Sequence, residues 1–459
     1  MRLDLFARWL GAVALVVGGG LTAAPAVRAD EGEARPNVVF ILVDDLRWDA
    51  LGCAGHPFVK TPNIDRLAKE GVRFRNAFVT TPLCSPSRAS FLTGQYAHTH
   101  GVQGNGNNNA RSHELATFPR MLQKAGYATG YVGKWHMGTD DSPRPGFDRW
   151  VSFRGQGAHV NPVLNIDGKV TKVEGYTTDI LTEHAVAFLK QPRHKPFALY
   201  LAYKAVHGPF TPADRHKALY ADDPITRPPS VHDTLDGKPV LQRKIEGQKP
   251  PGPGTGPGEL LIRNQLRMLA AIDEGVGRLL KTLEETKQLD RTLLIFTSDN
   301  GYFWGEHGLG DKRAAYEESI RVPLLVRCPA LARPGTVRDE LVLNIDIAPT
   351  LLDLAGVEVP KTMHGRSLVP LLRGNAGGWR TAFLAEYFAE PKFARIPTWQ
   401  AVRTVRWKYI RYPDYAGMDE LYDLHADPHE LKNLVQDPHA QAALKELRAE
   451  LERLLMETK

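Results

Sequence analysis

Asn37-Val38-Val39-Phe40-Ile41-Leu42-Val43-Asp44-Asp45 is the stretch on which the fold turns. Six consecutive apolar residues, four of them β-branched, run straight into two acids. A run without polar alternation reads as a strand buried on both faces, the environment of a parallel sheet. Three further runs repeat the pattern. Tyr127 to Val132 ends at Gly133-Lys134-Trp135-His136, and Phe197 to Ala202 is followed by His207. Thr292 to Thr297 ends at Ser298-Asp299-Asn300-Gly301. Helical periodicity fills the intervals at Thr61 to Glu70, Thr117 to Ala125, Thr178 to Lys190 and Glu259 to Thr286. Alternation of this kind predicts an α/β fold, a large, mostly parallel sheet with helices on both faces. Open α/β sheets place their sites at the carboxyl ends of strands. Four strands ending in acids, amines and imidazoles therefore predict one convergent site. Ordinary turns also favour Asp, Asn and Gly, so a single such end would carry little.

Composition is that of a globular protein. The N-terminus differs. Arg2 and Arg8 precede the apolar run Trp9 to Leu21, and small residues follow up to Ala29. This reads as a secretory signal, residues 1–29, cut before Asp30, with an uncleaved anchor as the alternative. Export to the periplasm or the extracellular space is expected, with no stable membrane span after processing. The formal charge of +6 would fall to +4 on cleavage, which mildly favours an anionic substrate. No clustered basic helix or aromatic–basic array points to nucleic acid. Of the three cysteines, Cys53 and Cys328 read as buried thiols, with a mutual disulfide as the alternative, and Cys84 stands apart. Residues 221–258, rich in Pro, Gly and charge, predict a long excursion that either flanks the pocket or is a surface insert. Residues 30–372 form the expected catalytic domain. Residues 373–459 form a C-terminal subdomain, with short strands at Ala382 to Tyr387, Gln400 to Val405 and Trp407 to Arg411, and a helix over Pro438 to Met456.

Cys84-Ser85-Pro86-Ser87-Arg88 opens a short helix that Gly94 closes. Ser85 suits the N-cap, Pro86 the first helical position and Gly94 the left-handed stop. A side chain at such a start faces free N–H groups, a natural anion site. Arg88, one turn on, points the same way. Asp44, Asp45, Asp299 and Asn300 offer the hard oxygens that Ca²⁺ or Mg²⁺ prefers. Lys134 and Lys312 can grip an oxyanion, and His136 and His207 can move protons.

The ordered set Asp44-Asp45, Cys84 to Arg88, Gly133 to His136, His207-Gly208-Pro209, Asp299-Asn300-Gly301 and Lys312 resembles the type I sulfatases of the alkaline phosphatase superfamily. The resemblance runs from about residue 36 to the C-terminus. It implies an alkaline phosphatase-like sandwich, with a small C-terminal antiparallel sheet and terminal helix. It also implies that a maturing enzyme (formylglycine-generating or anaerobic) oxidises Cys84 to 3-oxoalanine, the formylglycine whose hydrate attacks sulfur. The implied metal, Ca²⁺ with Mg²⁺ as the alternative, is held by Asp44, Asp45, Cys84, Asp299 and Asn300. The implied catalytic set is Cys84, Arg88, Lys134, His136, His207, Asp299 and Lys312. In it Asp299 helps activate the attacking hydroxyl, His207 or Lys312 assists the departing alkoxide, and His136 takes the proton that regenerates the aldehyde.

The leaving group is read by variable loops. Asp311-Lys312-Arg313 with Tyr316-Glu317 resembles the N-acetylglucosamine-6-sulfatase branch. The leading expectation is a sulfated glycan bearing 6-O-sulfated N-acetylglucosamine. Lys134, His207 and Lys312 are expected on the sulfate. Glu386, Trp399 and Arg403 are expected along the sugar, with a core tryptophan as the alternative at Trp399, and His307 either there or in loop structure. The alternatives are another sulfated polysaccharide or aryl sulfate, a phosphate or phosphonate ester, and a non-catalytic glycan-binding relative.

Overall fold

Asn37–Val43 (β1) lies inside an eleven-stranded sheet of the computed structural model, which describes residues 35–459. The expected signal segment lies outside the described residues. The remaining strands are β2 (Val72–Phe78), β3 (Ala128–Gly133), β4 (Arg149–Ser152), β5 (Val163–Ile166), β6 (Lys169–Lys172), β7 (Phe197–Ala202), β8 (Thr292–Ser298), β9 (Phe303–Trp304), β10 (Gly310–Asp311), β11 (Arg321–Arg327), β12 (Thr336–Arg338), β13 (Val342–Leu343), β14 (Ala382–Tyr387), β15 (Trp399–Thr404), β16 (Trp407–Arg411) and β17 (Glu420–Asp423). Sheet order is β12-β2-β11-β8-β1-β7-β3-β4-β5-β6, with β13 also beside β2. The centre, β8-β1-β7-β3-β4, is parallel, and β11 joins it antiparallel. The pairs β8–β1, β1–β7 and β7–β3 come from distant segments joined through helices, as the alternating pattern predicts, while β3 and β4 are joined by the helix-free stretch 134–148.

Period-two geometry sends alternate β1 side chains to opposite faces. Val39, Ile41 and Val43 join one apolar core, which takes in Leu181 and Phe188 of the helix Thr177–Lys190 and Leu266 to Leu283 of the helix Glu259–Glu285. Val38, Phe40 and Leu42 join the other, with Ala89, Phe91 and Leu92 of the helix Cys84–Thr93 and Leu351 of the helix Ile347–Leu354. Both faces are covered, so β1 carries no polar alternation. The antiparallel strand β11 escaped the sequence reading because Pro323 argues against a central strand. The structure places Pro323 at a register shift between Val322 and Leu324, where its missing N–H costs no regular pairing.

β14 to β17 form a separate antiparallel sheet against the terminal helix Gln441–Glu457. Its core is shared with the catalytic region, since Phe383, Trp399 and Leu447 cluster with Phe78, Leu83 and Tyr316. Among the described residues no helix is long and apolar enough to cross a membrane. Cys53 and Cys328 are free thiols.

Candidate active site

β1, β3, β7 and β8 are neighbours, so the segments that leave their carboxyl ends converge. Asp44 and Asp45 follow β1, Lys134 and His136 follow β3, His207 follows β7, and Asp299 and Asn300 follow β8. Asp45 and His136 adopt left-handed backbone, φ 64° and 54°, which is uncommon for residues with side chains and turns both away from the strand direction. Gly133 has φ 126°, and a Cβ there would meet Ala202 O at 1.8 Å. Only glycine lets β3 approach β7 closely enough to set Lys134.

The helix begins at Cys84 itself, with Leu83 as N-cap and Gly94 as left-handed cap, φ 67°. Ser85 is therefore inside the helix, and its hydroxyl donates to His136 O instead of capping. Cys84 Sγ lies 3.7 Å from Asp44 Oδ1. Arg88, on the same face, donates from Nε to Asp299 Oδ2 at 2.9 Å and from Nη1 to Lys134 O at 2.5 Å. Lys134 Nζ pairs with Asp44. Lys312 Nζ donates to Asp45 Oδ1 at 2.5 Å. His207 Nδ1 faces Gly208 O at 2.8 Å, and its Nε2 lies 3.7 Å from Asp45 Oδ2. The carbonyl fixes the proton on Nδ1, so Nε2 presents a lone pair to the site.

Three buried carboxylates in one place repel one another. Burial raises Asp44 and Asp45, but Lys134 and Lys312 respectively, with His207, outweigh it and hold both below the usual range. Burial, then Asp44, pushes Asp299 up to about 7 despite Arg88. A divalent cation would relieve this crowding. Asn300 Oδ1 is buried without a hydrogen-bond partner, as an unfilled ligand would be. One donor atom each from Asp44, Asp45, Cys84 and His207 falls within 4.8 Å of the others. Asp299 is absent from that group because its Oδ2 is turned to Arg88 and its Oδ1 accepts from Asp45 N at 3.1 Å. The oxygen-rich donors fit Ca²⁺ or Mg²⁺.

Burial pushes the Cys84 thiol up to about 12, so as encoded it is not a thiolate. Burial and Lys134 hold His136 well below its ordinary value and His207 down at about 4. Burial would lower Lys312, but Asp45 outweighs it and keeps the ammonium charged.

Four expected sugar contacts lie elsewhere. Trp399 is fully buried, with Nε1 donating to Arg313 O at 2.7 Å, so neither ring face is open to a sugar. Glu386 is spent on His98, accepting from its N at 3.1 Å and facing Nδ1 at 2.9 Å. His307 is buried, with Nδ1 2.7 Å from Asp233 Oδ2 and its ring over Tyr316, the loop-structure alternative. Arg403 pairs with Glu317 at 3.3 Å, away from Cys84. Trp399 and His307 thus take the core and loop-structure alternatives, and at Glu386 and Arg403 residue type alone does not reveal burial.

The fold also brings in neighbours that no motif marks. Lys204 is 1% exposed and donates to Gly208 O at 3.1 Å, which braces the His207 turn; burial, then Lys134, brings its pKa down to about 8. Its place three residues before His207, just past a buried strand, was the available signal. Around Lys312, Asp311 and Arg313 both have positive φ, 66° and 89°. Arg313 pairs with Asp311 and, at 2.8 Å, with Glu390, which accepts from Asn105 N at 3.3 Å. Asn105 Oδ1 in turn accepts from Ser85 N at 3.0 Å. This ring of polar groups forms a rim beside the nucleophile's helix.

The sulfatase family model matches residues 36–357, and a model described as N-sulphoglucosamine sulphohydrolase, C-terminal, matches 305–457. An N-acetylglucosamine-6-O-sulfatase of Bacteroides thetaiotaomicron is 33% identical over 92% of this chain and 86% of its own. A human N-acetylglucosamine-6-sulfatase is 33% identical over 93% and 85%. A solved structure described as a complex with its substrate, D-glucosamine-2-N,6-O-disulfate, superposes with TM-score 0.84 at 32% identity, over 92% of this chain and 98% of that one.

Proposed function

This chain belongs to the sulfatase family and is a sulfuric ester hydrolase, and from that premise we propose that it desulfates a sulfated carbohydrate whose reacting unit is 6-O-sulfated N-acetylglucosamine. The observation that carries the reaction is the convergence of Asp44, Asp45, Cys84, Arg88, Lys134, His136, His207, Asp299, Asn300 and Lys312 at the ends of four adjacent strands. The choice of sugar rests on the two relatives named N-acetylglucosamine 6-sulfatases and on the glucosamine disulfate held by the similar structure.

Formylglycine formed from Cys84 supplies an oxygen nucleophile, and a divalent cation, Ca²⁺ in our reading, supplies positive charge against the sulfate oxygens. Asp44, Asp45, Asp299 and Asn300 would hold the ion. The protein's own groups do the rest. Lys134 and Lys312, each anchored on an aspartate, offer ammonium hydrogens to the sulfate. Arg88 fixes Asp299 beside residue 84, where its carboxylate can accept a proton from the attacking hydroxyl. His136 is neutral and so is ready to accept a proton when the site resets. His207 presents an unprotonated Nε2, so Lys312 is the cation that meets the departing alkoxide. The polar rim of Asp311, Arg313 and Glu390 is placed to meet sugar hydroxyls. We read the protein as exported, through the N-terminal signal segment.

Two measurements test this reading. The intact mass of the tryptic peptide spanning residue 84, from protein made in its native host, should show the aldehyde; a plain thiol would remove the basis of turnover. A panel of defined sulfated monosaccharides should react fastest at 6-sulfated N-acetylglucosamine. If that sugar is untouched while another is desulfated, the substrate assignment fails and the reaction class stands.

A further inference from the structure

A second cavity, of about 620 Å³, lies apart from the nucleophile. It opens between the loop after β1, the 225–229 stretch of the long insert, and the C-terminal subdomain at Arg403 and Leu424. None of the catalytic or metal-site residues lines it. Its size is that of ordinary ligand pockets.

Its wall combines indoles, guanidiniums and a buried carboxyl. Two of its four arginines are neutralised within the protein. Arg47 pairs with Asp49 and Glu306, each at 2.7 Å, and Arg403 with Glu317. Arg227 and Arg321 make no ion pair among the described residues. Arg227 donates only to Pro257 O, at 3.0 Å, and Arg321 only to Arg75 O and Asn76 Oδ1. Arg321 sits 5.2 Å from the ring centre of Trp48, which is partly exposed. Glu318 lines the same space. It is 4% exposed, and its Oε2 is buried with no hydrogen-bond partner. Burial, then Glu306 and Glu430, raises its pKa well above the usual carboxylate range. An indole suits the C–H face of a pyranose, and an unpaired guanidinium suits a carboxylate. The same wall already shows that last pairing, since Arg47 grips Asp49 with two bonds, of 2.9 and 2.7 Å.

We propose that this cavity is an accessory carbohydrate site that takes a carboxylated sugar, a hexuronic acid unit, its acid group met by Arg227 and Arg321 and its ring against Trp48. The proposal extends the carbohydrate reading above: a polymeric substrate would be held at a unit other than the one desulfated. Arg403, read from sequence as a sugar ligand, belongs to this wall and not to the catalytic pocket.

The test uses the full-length mature enzyme and an unsulfated tetrasaccharide containing glucuronic acid, which cannot be turned over. Saturable binding by calorimetry is expected, with a change in tryptophan fluorescence. Arg227→Glu and Trp48→Ala should each weaken it about tenfold or more, about 1.4 kcal/mol in the first case. Both variants should keep the wild-type melting temperature and the wild-type rate on a monosaccharide sulfate ester. A neutral N-acetylglucosamine tetrasaccharide should bind more weakly than the uronate probe. Absence of binding at millimolar probe, or equal affinity in both variants, would overturn the site and leave a solvent-filled gap between subdomains. Because the probe carries no sulfate, its binding is independent of turnover: probe binding with no desulfation of any ester would sink the sulfatase substrate reading and leave this site standing.

Discussion

Cys84 is a poor nucleophile as encoded, because a thiol buried beside Asp44 is held neutral. Cys84→Ala should therefore lower kcat/KM by about three orders of magnitude or more, with ligand affinity retained. Lys312→Ala removes a cation already positioned by Asp45 and should cost about 10² to 10³ in kcat, the range for loss of one preorganised charge donor. Arg313 is a different case. It lies on the rim, held by Asp311 and Glu390, and pairs with none of Asp44, Asp45 and Asp299. Arg313→Ala should raise KM about tenfold with a smaller change in kcat, and steady-state kinetics on 6-sulfated N-acetylglucosamine separates the two. These roles were legible to different degrees. The aspartates, lysines and histidines stand at strand ends, where residue type and position together carry meaning. Trp399 and Glu386 were read by type alone, and the fold buries both.

Among the elements, the terminal helix Gln441–Glu457 has a specific latch. His98 Nε2 lies 2.7 Å from Thr458 O, and Nδ1 faces Glu386. Burial lowers the His98 pKa, but the hydrogen bond and charge of Glu386 outweigh it and raise the value above 6.5. The folded state therefore binds the proton more tightly than the unfolded one. That stabilisation is full below the unfolded pKa and fades as pH rises through the folded one. The melting-temperature difference between wild type and His98→Gln should be larger at about pH 6 than at about pH 9; a pH-independent difference would remove the charge from this account. Leu444, Leu447 and Leu451 of the same helix are buried. At about 1.5–3 kcal/mol per buried leucine, deleting the helix removes an amount comparable to a whole domain's net stability. Truncation before Gln441 should thus give insoluble protein, measured as the soluble fraction on expression.

For the whole molecule, one core joins what the sequence divides. The composition shift near residue 372 suggests a subdomain, and β14 to β17 are indeed a separate sheet. Yet Leu83, the cap of the nucleophile's helix, packs in the same cluster as Trp399 and Leu447. Trp399→Ala should cost about 3–5 kcal/mol in stability, with KM for the sugar unchanged in the folded fraction. A selective KM effect without destabilisation would restore Trp399 to the sugar site. The three crowded carboxylates also predict that chelation abolishes turnover and that Ca²⁺ restores it better than Mg²⁺, since several flexible oxygen donors suit the larger ion.

The α/β class, the central strands and the reacting groups are legible in the chain alone, because burial on both faces and strand-end chemistry are local properties written in consecutive residues. Boundaries moved by a residue or two at most of these elements, as at β3 and β8. Adjacency, by contrast, is settled by packing. The order β8-β1-β7-β3 brings residues 45 and 299 together across 254 positions. The same packing buries Trp399, places Arg403 on a second cavity, and sets Lys204 beside His207. Such placements depend on which surfaces meet, and no single stretch of chain encodes that.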